Sequence, residues 1–204
     1  RWDLFLKFKT QTLPNIRLQK MTTLKNQETN FTSLIWIALT CVLSGGIIGA
    51  STNAINGFVS PLYFKNILGW DFQNIWSASI AQGIFEGLIY GFFFSLVFTT
   101  SIAIITKGRS SLRFAFNHLL KVIILIYICW ISAGVLAMGL AALSPDFYKN
   151  AFRKVPSDFQ EMLAYAWVGG SIWGGILGGL LGIILGVINI KSNWKKLTVG
   201  YLTE

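Results

Sequence analysis

Four long stretches of apolar residues constrain this chain more than any other feature. They run over 33–52, 80–106, 119–143 and 164–190. Each is long enough to cross a bilayer, which takes about 20 apolar residues. Hydrocarbon offers the backbone no hydrogen-bond partner, so each stretch is predicted to be helical. With 53% hydrophobic and 12% charged residues, the composition is also that of a membrane protein. The sequence therefore predicts an all-α integral membrane protein with four transmembrane helices.

The second half of the chain repeats features of the first half in the same order. Segments 60–66 and 144–150 both begin with Ser-Pro and end with Lys-Asn, and segments 71–73 and 158–160 both read Asp-Phe-Gln. The offset between the copies is 84 residues in the first case and 87 in the second, so the shift falls in a loop, where insertions are tolerated. We interpret this order as an internal duplication of a helical hairpin; chance similarity between membrane sequences is the alternative.

The repeat and the apolar stretches together predict one four-helix unit made of two hairpins. The first hairpin is predicted over 33–106 and the second over 119–190, with a basic loop over 107–118 between them. A basic and aromatic interfacial tail over 1–32 precedes them, and a second tail over 191–204 follows.

The basic residues predict the orientation in the membrane. Of the 17 Lys and Arg residues, six precede the first stretch, four surround the connection between the second and third, and three follow the fourth. The other four lie in the remaining two loops. Basic residues concentrate on the cytoplasmic side, so both termini are predicted to be cytoplasmic, in a bacterial inner membrane. The net charge of +9 then indicates contact with lipid headgroups and makes a nucleic-acid partner unnecessary.

The two loops on the opposite side are each predicted to contain a short interfacial helix. Ser60-Pro61 and Ser144-Pro145 suit an N-cap followed by proline in the first turn. Asp71 and Asp158 are expected to lie where the next long helices begin, since a carboxylate favours a helix N-terminus.

Small residues recur every four positions in the second and fourth stretches. This spacing places them on one helix face, where another backbone can approach closely. We expect close helix contacts at Gly83, Gly87, Gly91, Gly170, Gly174, Gly178 and Gly182.

Glu86 is the acidic residue within the apolar stretches. An ionisable group in a membrane helix is costly to bury and therefore marks a functional-site hypothesis. Gln82, Gly83 and Tyr90 share its helical face, so Glu86 is expected to point toward the protein interior. It is either a proton or cation site or a structural carboxyl held by neighbours such as Asn53 or Asn56.

The remaining reactive residues form no recognisable catalytic pattern. Cys41 and Cys129 occupy equivalent positions within spans and are expected to be buried apolar residues. His118 stands alone near the basic loop and is expected to contact headgroups. We predict that the protein is not an enzyme and has no metal or cofactor.

Two classes of function remain. The first is an accessory or scaffold subunit that packs against other membrane proteins, or against itself, through glycine-rich faces. The second is a small ion, proton or solute transporter or channel that uses Glu86.

Overall fold

The computed structural model describes the backbone of residues 31–203 and the side chains up to residue 198. The predicted tail thus lies outside the described residues, apart from the first two residues of α1. Within residues 31–203 there are six helices, in chain order α1 (Phe31–Val59), α2 (Pro61–Leu68), α3 (Ile75–Thr106), α4 (Leu112–Leu143), α5 (Pro145–Ala151) and α6 (Phe159–Thr203).

Four of these helices, α1, α3, α4 and α6, are long and apolar enough to cross a membrane. The prediction of four such helices is confirmed, and they fit an integral membrane protein. They contain 29, 32, 32 and 45 residues, more than a bilayer crossing requires. The apolar stretches are shorter than the helices because the helices continue into polar residues at their ends. In particular, α6 continues through most of the predicted tail 191–204.

Side-chain caps decide where two of the long helices begin, and they correct two predicted boundaries. Helix α3 begins after Asn74, whose Oδ1 accepts a hydrogen bond from the Ser77 amide at 3.1 Å, so Asp71 lies outside the helix. Helix α4 begins after Ser111, whose hydroxyl accepts from the Phe114 amide at 3.2 Å. The predicted loop 107–118 is therefore only the five residues 107–111.

At the start of α6 the predicted carboxylate cap is confirmed. Asp158 precedes the helix, and its Oδ1 accepts a hydrogen bond from the Glu161 amide at 2.9 Å. Ser60 and Ser144 occupy the N-cap positions of α2 and α5, each followed by proline, but neither side chain makes the expected capping hydrogen bond. Proline thus supports these short helices without help from the serine hydroxyl.

The long helices pack as two pairs. Helix α1 lies along α3, and α4 lies along α6, whereas contacts between the pairs are sparser. We call the end of the bundle that carries α2 and α5 the short-helix end, and the end that carries residues 107–111 the turn end. The pairs meet in a cluster at each end. Phe64, Ile75 and Val168 form the one at the short-helix end. The one at the turn end includes Phe98, Ile102, Leu119 and Ile190.

Helices α2 and α5 add further contacts at the short-helix end. The Tyr63 ring of α2 lies 5.0 Å from the Tyr165 ring of α6, and Tyr148 of α5 is buried beside Tyr165. Burial raises the pKa of Tyr63, and burial together with Tyr63 raises the pKa of Tyr148 to about 12. Loss of a proton here is therefore disfavoured in the folded protein.

Candidate functional site: a cavity between the helix pairs

The glycine row of α3 lies directly against α1. A Cβ atom on Gly83 would collide with the carbonyl oxygen of Gly49, and one on Gly87 would collide with that of Gly45. A Cβ on Gly91 would lie 2.9 Å from the Val42 oxygen. The absence of side chains at these positions is what lets the two backbones touch.

The glycine row of α6 lies against α4 in the same manner. A Cβ on Gly170 would collide with the Cβ of Ala137, and one on Gly174 would collide with the Cys129 oxygen. At Gly178 it would lie 2.8 Å from the Cys129 Cβ. Gly182 follows one turn later, where a Cβ would lie 2.6 Å from a Val122 methyl carbon.

All seven predicted packing glycines therefore contact helices of this same chain. Gly139 and Gly179 differ from them, because a Cβ built on either one meets no atom within 4 Å. Gly179 lines a cavity in the middle of the bundle, and Gly139 does not.

This central cavity lies between the two helix pairs and has a volume of about 470 Å³. All four long helices contribute to its wall. Side chains of α6 such as Ile172 and Ile176 are apolar, whereas α1 contributes Ser44, Thr52 and Asn56. Since the clusters that join the pairs lie toward the ends of the bundle, they leave this space between them.

Asn56 connects the two pairs at the side of the cavity near the short-helix end. It is fully buried, with an exposed fraction of 0%. The Ser171 hydroxyl of α6 lies 3.1 Å from Asn56 Oδ1, and Asn56 Nδ2 has no hydrogen-bond partner. The cavity wall therefore contains a buried amide that the protein satisfies only in part.

Trp130 of α4 adds a second such group. Its side chain is 5% exposed and lines the cavity, and its Nε1 has no partner. Its ring packs edge-on against Trp167, with the centroids 5.3 Å apart. The Trp167 Nε1 is also buried without a partner, but Trp167 does not line the cavity.

Glu86 lies at the edge of the cavity. Its side chain lines this cavity between the helix pairs, but it is exposed and not buried. The face of α3 that packs against α1 is occupied by the glycine row, and Glu86 precedes Gly87 by one residue, which turns its side chain about 100° away from that face. Its Oε1 accepts a hydrogen bond from Gln82 Nε2 at 2.7 Å. Asn53 and Asn56, the expected partners, line the same cavity.

The position of His118 also differs from the prediction that its side chain contacts lipid headgroups. It is buried, with 4% of its surface exposed. Its Nδ1 lies 2.7 Å from the Phe114 oxygen, and its Nε2 lies 3.1 Å from Asn193 Nδ2. Since the Asn193 amide nitrogen is a donor, this pattern corresponds to a neutral ring with its proton on Nδ1. Helix α6 reaches His118 because it extends well past its apolar stretch.

Neither cysteine is paired in a disulfide: Cys41 is buried and Cys129 is half-buried. Within the described part of the chain, no three His, Cys, Asp or Glu residues come together in an arrangement that could hold a metal ion.

No protein-family model, curated protein or solved structure matches this chain.

Sequence reasoning did not identify the partners of the glycine rows or the cavity. A signal for the partners exists, because Gly45 and Gly49 in α1, and Ala133 and Ala137 in α4, are also small residues four positions apart. The cavity has no comparable signal in the sequence. It depends on how far apart the two pairs stand in the middle of the bundle.

Proposed function

We propose that this chain is a non-catalytic membrane protein that binds a lipid-soluble solute in its central cavity, as a small transporter does. The observation that carries the proposal is the partly polar cavity to which all four long helices contribute. Its volume of about 470 Å³ falls in the range of small-molecule sites, roughly 300–1,000 Å³. The apolar wall with few polar groups is also typical of such sites.

The accessory-subunit hypothesis is weaker in the light of the packing. Its main argument was that the glycine-rich faces are available to other membrane proteins. The seven glycines are instead covered by helices of this chain, which leaves no open glycine row for a partner among them.

The register of the helix contacts supports the proposal that the two hairpins arose by duplication. Gly87 meets Gly45 in the first pair, and Gly174 meets Ala133 in the second. Gly45 and Ala133 are 88 residues apart, and Gly87 and Gly174 are 87 apart. These offsets match those of the cysteines and of the Asp-Phe-Gln motifs. Two hairpins in the same orientation would then be related by an axis along the membrane normal, with the cavity between them.

The orientation proposed for the chain has the turn end in the cytoplasm of a bacterial cell, with both termini on the same side. Lys107, Arg109 and Arg113 support it, since they are clustered around the turn end. The short helices α2 and α5 would then lie at the outer surface of the inner membrane. Their aromatic side chains suit an interface.

Two glycines offer a matched test of the cavity. Gly179→Phe places a ring in the cavity, whereas Gly139→Phe places the same ring in open space elsewhere. Both variants should fold, since a Cβ at either position meets no atom within 4 Å. The measurement is the amount of lipid-soluble material, by mass spectrometry, that remains bound to protein purified in dodecyl maltoside.

We expect wild type and Gly139→Phe to retain the same bound molecule and Gly179→Phe to lose it. Equal retention by the two folded variants would contradict binding in the cavity. Migration of all three proteins as a complex with other subunits on a native gel, with no bound solute, would favour the accessory-subunit hypothesis instead.

A further inference from the structure

Two buried polar groups in the cavity wall lack the partner that such groups normally have. They are Asn56 Nδ2 and Trp130 Nε1. More than nine-tenths of each side chain is buried. Buried donors in native proteins are nearly always paired with protein, water or ligand, because an unpaired donor loses its hydration without replacement. The wall is therefore suited to a molecule that supplies an acceptor.

The two groups lie next to positions one turn apart on α6. Asn56 is hydrogen-bonded at Ser171, and a Cβ on Gly175 would lie 3.8 Å from Trp130 Cδ1. Residues 171 and 175 are one turn apart on α6, a rise of about 6 Å. In the indole ring Cδ1 is bonded to Nε1, so the edge that carries the unpaired N–H lies toward Gly175, which itself lines the cavity.

The donor chemistry restricts what binds there. An indole Nε1 donates and never accepts, so Trp130 selects a ligand with an acceptor. Ser171 has one hydroxyl proton, and both Asn56 Oδ1 and the Val168 oxygen lie 3.1 Å from its Oγ. The hydroxyl can donate this proton to only one of the two oxygens and can contact only one polar atom of the Asn56 amide. The other polar atom of the amide stays free in either case, so Asn56 supplies a second polar contact.

The surroundings restrict the charge of the ligand. The lining residues of α4 and α6 carry no charge, and the charged residue of the lining is Glu86, at the edge. An anionic head would be buried without a cation and would lie near a carboxylate, which is unfavourable. The apolar wall formed by Ile172, Ile176 and Leu180 suits a hydrocarbon chain.

We propose that the cavity binds an uncharged amphiphile through a carbonyl oxygen, as in a monoacylglycerol. The carbonyl oxygen accepts a hydrogen bond from Trp130 Nε1, and the hydrocarbon chain lies along α6. This inference rests on the proposed function and names the class of its ligand.

A matched pair of probes isolates the carbonyl. Monoolein has an ester carbonyl. The ether 1-O-oleylglycerol has the same hydrocarbon chain and glycerol head but lacks this carbonyl. Binding of each radiolabelled probe is measured on the full chain in nanodiscs of ether-linked phosphatidylcholine, which contribute no competing ester carbonyl. The protein variants are wild type, Trp130→Phe and Trp167→Phe, with Asn56→Leu as the test of the second contact and Gly179→Phe as the blocked cavity.

We expect wild type to bind monoolein about tenfold more tightly than the ether, the size of one well-formed hydrogen bond. Trp130→Phe should reduce monoolein affinity to the level of the ether and leave the ether unchanged. Trp167→Phe removes an equally unpaired indole N–H outside the cavity and should change neither. A weaker, carbonyl-dependent loss is expected for Asn56→Leu.

Four results would overturn the inference. The first is equal binding of the two probes by wild type, and the second is an equal loss of monoolein affinity in both tryptophan variants. In either case, blocking by Gly179→Phe would show that the proposed function stands without the carbonyl contact. Binding of neither probe, or binding that Gly179→Phe does not block, would overturn the inference together with the proposed function.

Discussion

The Ser171 hydroxyl lies 3.1 Å from Asn56 Oδ1, and this hydrogen bond connects α6 to α1 across the two helix pairs. Both residues are fully buried. A second hydrogen bond, between the Ser51 and Tyr127 hydroxyls at 2.6 Å, also joins the pairs. Their remaining contacts are mainly apolar clusters, which constrain their separation but not their rotation about one another. A directional bond between buried polar groups therefore helps to define how the pairs face each other, and with it the shape of the cavity.

Removing this hydrogen bond should weaken the association of the two pairs. We expect Ser171→Ala to lower the free energy of unfolding by about 1 kcal/mol, a typical value for a hydrogen bond between membrane helices. Thr198→Ala is the control, since the exposed Thr198 hydroxyl contacts only its own helix. Denaturation in mixed micelles measures both. A loss no larger in Ser171→Ala than in the control would show that the bond contributes nothing.

Adding a methyl group inside a helix pair should be far more damaging than adding one outside. We expect Gly87→Ala and Gly174→Ala each to lower the free energy of unfolding by about 1–3 kcal/mol, because the new Cβ would meet backbone atoms. Gly139→Ala should have little effect. The same denaturation assay applies, and wild-type stability of the two packing variants would contradict the observed helix separation.

Replacing a carboxylate by an amide at Glu86 should have a small effect on stability, whereas replacing the amide by a carboxylate at Asn56 should have a large one. We expect Glu86→Gln to leave stability nearly unchanged, since an amide keeps the shape of the side chain and can still accept the hydrogen bond from Gln82. Asn56→Asp places a carboxyl group in a fully buried site without a cation and should reduce the folded yield severely. Thermal unfolding followed by size-exclusion chromatography measures both. A large loss in Glu86→Gln would indicate that a partner buries this residue.

Alkaline pH should loosen the short-helix end through Tyr148. Its pKa in the folded protein is about 12, above the ordinary value of 10.0. The stability that the protonated phenol contributes is therefore fully present below pH 10 and is lost as pH rises from about 10 to 12. We expect Tyr148→Phe to show a smaller fall in Tm over this interval than wild type.

Labelling of single cysteines from outside the cell tests the proposed orientation. In a cysteine-free background, single cysteines at positions 60–70 and 146–158 should react with a membrane-impermeant maleimide. Cysteines at positions 108–112 should react only after the membrane is permeabilised. External labelling of 108–112 would place the turn end outside and reverse the orientation.

Local chemistry along the chain was sufficient to predict the four long helices and the cap at Asp158. A bilayer crossing requires a long apolar run, and a capping carboxylate contacts a backbone amide only three residues away. The glycine spacing likewise predicted which face of α3 is the packing face, because periodicity is a property of one helix.

The tertiary structure determined the rest, since it depends on contacts between residues distant in the chain. Glu86 is exposed beside the cavity because Gly83 and Gly87 already occupy the face against α1, and His118 is buried because α6 extends far enough to bring Asn193 to it. Asn56 and Ser171 are 115 residues apart, and no local pattern relates them. The cavity exists because the two helix pairs meet at their ends and stand apart between them, which is a consequence of packing and not of any one helix.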